Sequence, residues 1–226
     1  MSHQFIDLLE QLKGRVARMT AMVQQAVEQA VEAVFTLDEK LQRQVIAADA
    51  DIDEEEVQIE KQAIDLLALY QPAAGDLRLI TTIIKVNSDF ERIADCAVNI
   101  AQRVQFLRQL EGEPDHARRY EPPQDLRVMA NSVIATLRDT IQAFNLGDEQ
   151  LARRVLRGDD VVDALYQQFV QEMLAVMAGH SHRPDRDLSH IMIAKNLERI
   201  ADHCTNIAED VIYVHSGRIV RHQHSA

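Results

Sequence analysis

The chain writes one surface twice: "ERIADCAVNIA", Glu91 to Ala101, returns as "ERIADHCTNIA", Glu198 to Ala208, 107 positions later. Eight of the eleven positions agree. The three that differ, Cys96 against His203, Ala97 against Cys204 and Val98 against Thr205, stand side by side, while both acids, the arginine and the asparagine are kept. A repeat this long exceeds the roughly 20 to 45 residues of a solenoid module, so duplication of a whole helical bundle is the economical account. Composition agrees: with 4% aromatic residues, no Trp, 7 Gly and 5 Pro, the chain is poor in strand and turn formers.

Tracking apolar residues at spacings of three and four predicts six long helices, at about Phe5–Phe35, Asp38–Leu69, Asp76–Leu110, Gln124–Asn145, Glu149–Ala178 and Arg186–His215. Thr36 or Asp38 is available to cap the second. Pro72 and Gly75 break the chain before the third helix, and "EGEPDHARRYEPP" is the clearest linker. The expected class is all-α: two pseudo-symmetric antiparallel three-helix bundles at 1–112 and 124–217, joined by a linker at 113–123 and followed by a tail at 218–226. A continuous six-helix array with one core is the alternative.

The net charge of −12 argues against nucleic acid or an anionic membrane as the primary partner and favours cations or basic protein surfaces. Cys96 and Cys204 lie within helical patterns without a C-x-x-C arrangement, as free thiols of a reducing compartment do. With no signal-peptide pattern and no run of 18 apolar residues, the expectation is a cytoplasmic protein.

Helical residues four apart lie about 40° apart on one face. Phe90, Ile93, Ala94, Ala97, Ile100, Ala101 and Val104 therefore form a core stripe, and Glu91, Asp95 and Asn99 another, facing outward. In the last helix Leu197, Ile200, Ala201, Cys204, Ile207 and Ala208 turn inward, and Glu198, Asp202 and Asn206 outward. Core packing does not dictate those acids. The second and fifth helices carry matching pairs, Asp49 with Asp53 and Asp159 with Asp163, and Glu56 and Glu60 extend the former. Each half thus offers up to four carboxylates to one groove. They are either a solvated face, since like charges four apart cost only about 0.2–0.5 kcal/mol, or an all-oxygen site for Mg²⁺, Mn²⁺ or iron.

Other chemistry finds little support. The one Glu-x-x-His run, Glu113–His116, contains Pro114 and lies in the linker, so a buried di-iron oxidase centre is not expected. His180, His182, His215, His222 and His224 lack accompanying ligands at fixed spacing. Arg92 and Arg199 pair with neighbouring acids or meet a partner. No nucleophile with a base and no glycine-rich phosphate cradle is present, so enzymatic activity is not expected.

"QPAAGDLRLITTIIKVNSDFERIADCAVNIA" and "IAKNLERIADHCTNIAEDVIY" resemble the two signature helices of the PhoU family of bacterial phosphate-uptake regulators, with "DADIDEEEVQIE" and "DDVVD" as the accompanying acid motifs. The resemblance implies a homodimer of two-bundle chains with multinuclear metal clusters at Asp49, Asp53, Glu91, Asp95, Asp159, Asp163, Glu198 and Asp202, with Asn99 and Asn206 as additions. It further implies an adaptor that restrains phosphate-starvation signalling by linking the ATP-binding subunit of a phosphate ABC transporter to a sensor histidine kinase, meeting the membrane only through those partners. A helical metal-storage or buffering protein is the alternative. The approach to the last helix lacks an equivalent of Arg78, and Tyr166 and Val170 stand where the first half has Glu56 and Glu60. The first half is therefore expected to bind metal more tightly.

Overall fold

The computed structural model describes residues 3–112, 120–179 and 183–217, and every element among them is helical. In chain order these are α1 (His3–Thr36), α2 (Glu39–Tyr70), α3 (Ala74–Glu111), α4 (Gln124–Leu146), α5 (Glu149–Ala178) and α6 (Pro184–Ser216). The expected helices are present with ends displaced by at most two residues. Linker residues 113–119, the tail 218–226 and His180 and His182 lie outside the described residues.

Local chemistry places the helix ends, and does so twice. Asp38 caps α2, its carboxylate accepting from the N–H groups of Lys40 and Leu41, and Asp148 caps α5 by accepting from Gln150 and Leu151. Each cap satisfies donors that a helix start leaves without partners. The residue before each cap is left-handed, Leu37 at φ 52° and Gly147 at φ 64°. Thr36 instead turns its hydroxyl back on the carbonyl of Glu32, 2.8 Å away. α2 stops before Pro72 with Gln71 left-handed at φ 44°. Pro184 opens α6, where its missing N–H costs no intrahelical bond.

Helices α1, α2 and α3 pack on one another, as do α4, α5 and α6, giving two three-helix bundles. The bundles are not separate bodies. α3 lies antiparallel along α6, with Lys85 beside Asp210 and Asp89 beside His203, and α1 touches α4 along a narrower line that Arg138 and Glu28 bridge. One contiguous apolar core consequently runs through all six helices. Two bundles and one core, expected as alternatives, coexist.

All the residues expected in the α3 and α6 core stripes are buried, and the buried surface is wider than those stripes. Cys96 of α3 and Asp210 of α6, which lie off those stripes, are buried too. Each of the two helices has its own bundle on one side and the opposite helix on another. Phe90 of α3 meets Phe144 of α4 edge to face, with ring centroids 6.1 Å apart.

A shared core predicts one cooperative unfolding transition for the whole chain, read as coincident far-ultraviolet circular dichroism and calorimetric melts. Phe90→Ala should lower stability by about 3–5 kcal/mol and leave that transition single. Separate melting of the two halves would contradict the shared core. Asp38→Ala and Asp148→Ala should each cost about 1 kcal/mol by denaturant titration.

Candidate functional site

With two sides of α3 and two of α6 buried, each helix keeps only a narrow strip near solvent, and the repeated acids lie on it. α2 borders the α3 strip and α5 borders the α6 strip. The acids expected to face outward lie on the flanks of grooves: the Glu91 side chain is 18% exposed and that of Glu198 is 14%.

In the second half Asp163, Glu198 and Asp202 each place one carboxylate oxygen within 4.8 Å of the others. Among the described residues this is the only such trio. Asp202 is pushed up to about 6, first by partial burial, then by the charges of Glu198, Asp159 and Asp163, with Lys195 opposing. Asp159 completes the set of four, and the Thr205 hydroxyl lies 3.0 Å from its Oδ1. The Lys195 ammonium donates to Glu198 at 2.5 Å and sits 5.3 Å from the centre of the Tyr166 ring.

The first half assembles differently. Burial raises Asp49, and the charges of Asp53 and Asp95 add to the shift. Burial also raises Glu91, followed by Asp95, with Arg92 opposing and Glu56 and Asp53 adding further. Four acids from two helices thus feel one another here as well, and Glu56 belongs with them; Glu60 acts in turn on Glu56. Arg92 lies across the pair, 3.3 Å from Glu91 and 3.0 Å from Asp95. Its guanidinium fills the place a cation would take between those two carboxylates.

The tighter convergence of carboxylates lies in the second half, although the first half carries more acids. Arg78 lies thirteen residues, about 20 Å along α3, from Glu91, so the lack of a counterpart leaves the second groove unaltered. Asn206 turns its amide to Asp89 across the α3–α6 seam, 3.4 Å away, rather than towards the acids, and Asn99 is exposed. Residue spacing did not disclose the Thr205 contact; the one available signal was that Thr205 replaces Val98 within the repeat.

The first of the three mismatched positions marks the seam. His203 Nδ1 lies 2.8 Å from Asp89 Oδ1, joining the halves. The 107-residue offset sends His203 to Cys96 and Asp89 to Asn196, and Asn196 bonds the backbone of its own helix at Met192 instead. The seam is therefore where the duplication loses its symmetry. Both thiols are free and buried, and burial pushes Cys96 up to about 11 and Cys204 up to about 12, which makes them packing groups rather than nucleophiles.

An all-oxygen set of three or four carboxylates suits hard cations, whose charge would relieve the repulsion that raises these acids. No histidine or thiolate joins either set, which disfavours zinc.

The comparisons with known proteins agree with this geometry. A PhoU domain model matches residues 16–104 and 126–211. The phosphate-specific transport system accessory protein PhoU homolog of Aquifex aeolicus is 39% identical over 216 residues, spanning 96% of this chain and 95% of that protein. The crystal structure of PhoU from Pseudomonas aeruginosa superposes with a TM-score of 0.88 at 35% identity, covering 95% of this chain and 100% of that one. PhoU from Streptococcus pneumoniae, called a phosphate transport system regulatory protein, gives a TM-score of 0.84 at 26% identity over 96% and 99%. Sequence, duplicated topology and fold together make this chain a member of the PhoU family.

Proposed function

We propose that this protein is a metal-binding accessory regulator of a phosphate-specific transport system. It restrains phosphate-starvation signalling by linking the transporter's ATP-binding subunit to a sensor histidine kinase, and works as a homodimer. The observation that carries the metal part is the convergence of Asp163, Glu198 and Asp202 on one point of the second groove. Lys195 pairs with Glu198 but leaves the crowding of the three acids only partly compensated, since Asp202 is still raised by burial and by its neighbours' charges, and a divalent or ferric ion would offset the remainder. The role in phosphate transport rests on the names of the relatives. No helix among the described residues is long and apolar enough to cross a membrane, and in this reading the protein meets the membrane only through its partners.

In this reading Asp159, Asp163, Glu198 and Asp202 hold the cation of the second half, and Asp49, Asp53, Glu91 and Asp95 that of the first. The bound ion supplies fixed positive charge that offsets part of the negative charge of each acidic groove and shapes it as a surface for docking. Arg92 must leave Glu91 and Asp95 for the first groove to fill, and Lys195 must leave Glu198 for the second; the guanidinium bridges two acids and the ammonium holds one, so in this reading the second fills first.

Elemental analysis of protein purified without chelator tests the reading. Bound Fe, Mn or Mg is expected, and Asp163→Asn with Glu198→Gln and Asp202→Asn should remove the more tightly held fraction while helicity is kept. Equal metal in the variant would remove these acids from the ligand set. Pull-down of the transporter's ATP-binding subunit by the metal-loaded protein, but not by the variant, tests the adaptor role.

A pH dependence follows with a defined sign. The Asp202 carboxyl binds its proton more tightly folded than unfolded, so its ionised form destabilises the metal-free protein above about pH 6, and that penalty fades towards about pH 4. Asp202→Asn should therefore raise the Tm of metal-free protein near pH 7, and the advantage should vanish by about pH 4. Protons compete for the same oxygen, so metal affinity of the second groove should fall as pH drops below about 6. A pH-independent Tm difference would contradict the crowding of these acids.

A further inference from the structure

The second groove does not end at its acids. Asp163 faces Glu198 and Asp202, and one turn further along α5 the Tyr166 ring faces the Lys195 ammonium, 5.3 Å from its centre. These contacts set α5 and α6 antiparallel. Asp163, Tyr166, Val170 and Leu174 share one face of α5, and Asp202, Glu198, Lys195, Ile191 and Leu188 share one face of α6, because each set steps by three or four residues. Further turns of the two helices therefore bring Val170 opposite Ile191 and Leu174 opposite Leu188. Over about 16 Å of helix the acidic groove passes into an apolar lane.

Val170 and Ile191 are half-buried, whereas Leu174 is 55% exposed and Leu188 is 49% exposed. A single exposed leucine is ordinary on a protein surface. Two of them facing one another, in line with half-buried apolar neighbours at the end of a groove, form a continuous strip open to solvent, the kind of surface that marks an interaction site.

The internal duplication shows that packing does not ask for this strip. The offset of 110 that carries Asp49 and Asp53 to Asp159 and Asp163 carries Glu56, Glu60 and Ile64 to Tyr166, Val170 and Leu174. The offset of 107 carries Thr81, Ile84 and Ser88 to Leu188, Ile191 and Lys195. The first bundle forms with Glu60 and Thr81 where the second has Val170 and Leu188, so its lane is interrupted and that of the second half is not.

Charge defines the other end of the ligand. Asp159, Asp163, Glu198 and Asp202 gather beside Lys195, whose ammonium Glu198 already holds. That end is negative when the groove is empty, and a single divalent ion leaves it so. A lane that is apolar at one end and acidic at the other matches an amphipathic helix with apolar residues at spacings of three and four and Lys or Arg where it meets the acids. It does not match an anionic lipid surface, which the carboxylates repel.

We propose that the lane between α5 and α6 docks such an apolar and basic helix of a partner protein, its apolar face on Leu174 and Leu188 and its basic end at Asp163 and Asp202. The inference rests on the adaptor reading above and gives that reading a surface, in the second half alone. It does not require bound metal.

Fluorescence anisotropy of a labelled peptide of about 14 residues, made of Leu and Lys with its leucines on one helical face, tests the docking on the full chain. Saturable binding is expected in both EDTA-treated and Mn²⁺-loaded protein, with a Kd on the order of 10 µM. Leu174→Gln with Leu188→Gln, both at exposed positions that the fold tolerates, should weaken it by roughly tenfold or more. Ile64→Gln in the first half should leave it unchanged, and a peptide with Glu in place of each Lys should bind far more weakly. The proposal is overturned by absent saturable binding, by unchanged binding in the Leu174 and Leu188 variant, by an equal loss in Ile64→Gln, or by equal binding of the acidic peptide. Peptide binding by a protein that fails to capture the transporter's ATP-binding subunit would remove the adaptor role and keep the lane; capture without peptide binding would remove the lane alone.

Discussion

The contact of α3 with α6 organises this molecule. Each of these helices belongs to its own bundle and also lies against the other, so each is buried on two sides. That double burial has two effects. It fuses two bundles, each a three-helix unit, into one continuous core, and it confines the polar residues of both helices to a narrow strip. Acids on that strip have α2 or α5 as immediate neighbour, and the carboxylates of the neighbour fall opposite them. The grooves are thus a geometric consequence of the seam, and crowding of charge follows from confinement rather than from any unusual local backbone.

The fold was largely legible in the sequence because its determinants are periodic or local. Apolar spacing located every helix, Asp38 and Asp148 marked two starts, and Pro72 marked an end. The gathering of acids was legible in part, since a repeat that preserves Glu91, Asp95, Glu198 and Asp202 on a non-core face singles out four of them. The second buried face of α3 and α6 was not. Cys96 lies off the main stripe and Asp210 is charged, and a single-helix projection has no means of seeing a neighbour contributed from more than 100 residues away. The position of Arg92 was not legible either: counting acids credited Glu56 and Glu60, whereas the reach of Arg92 across Glu91 and Asp95 depends on side-chain placement.

Duplication explains both what the two copies share and where they part. The shared acids serve two grooves that see equivalent neighbours, α2 in one half and α5 in the other. Of the mismatched residues, His203 serves the seam where the copies meet, Cys204 the interior, and Thr205 the second groove itself. His203 finds Asp89, whereas its counterpart Cys96 is buried and the counterpart of Asp89 bonds its own backbone. Thr205 places a hydroxyl beside Asp159 that Val98 has no means to supply.

The central claim is that the paired acids of both halves are cation sites, with the second groove the better formed. Anomalous diffraction from crystals grown with Mn²⁺, recorded at the manganese edge, tests it most directly. The account predicts peaks at two places, among Asp159, Asp163, Glu198 and Asp202 and among Asp49, Asp53, Glu91 and Asp95. The former should be stronger at limiting metal, and Arg92 should be turned away from Glu91 and Asp95 when the first groove is filled. No peak in either groove at saturating metal, with the acids still gathered as they are here, would contradict it and return them to a solvated or protein-docking face.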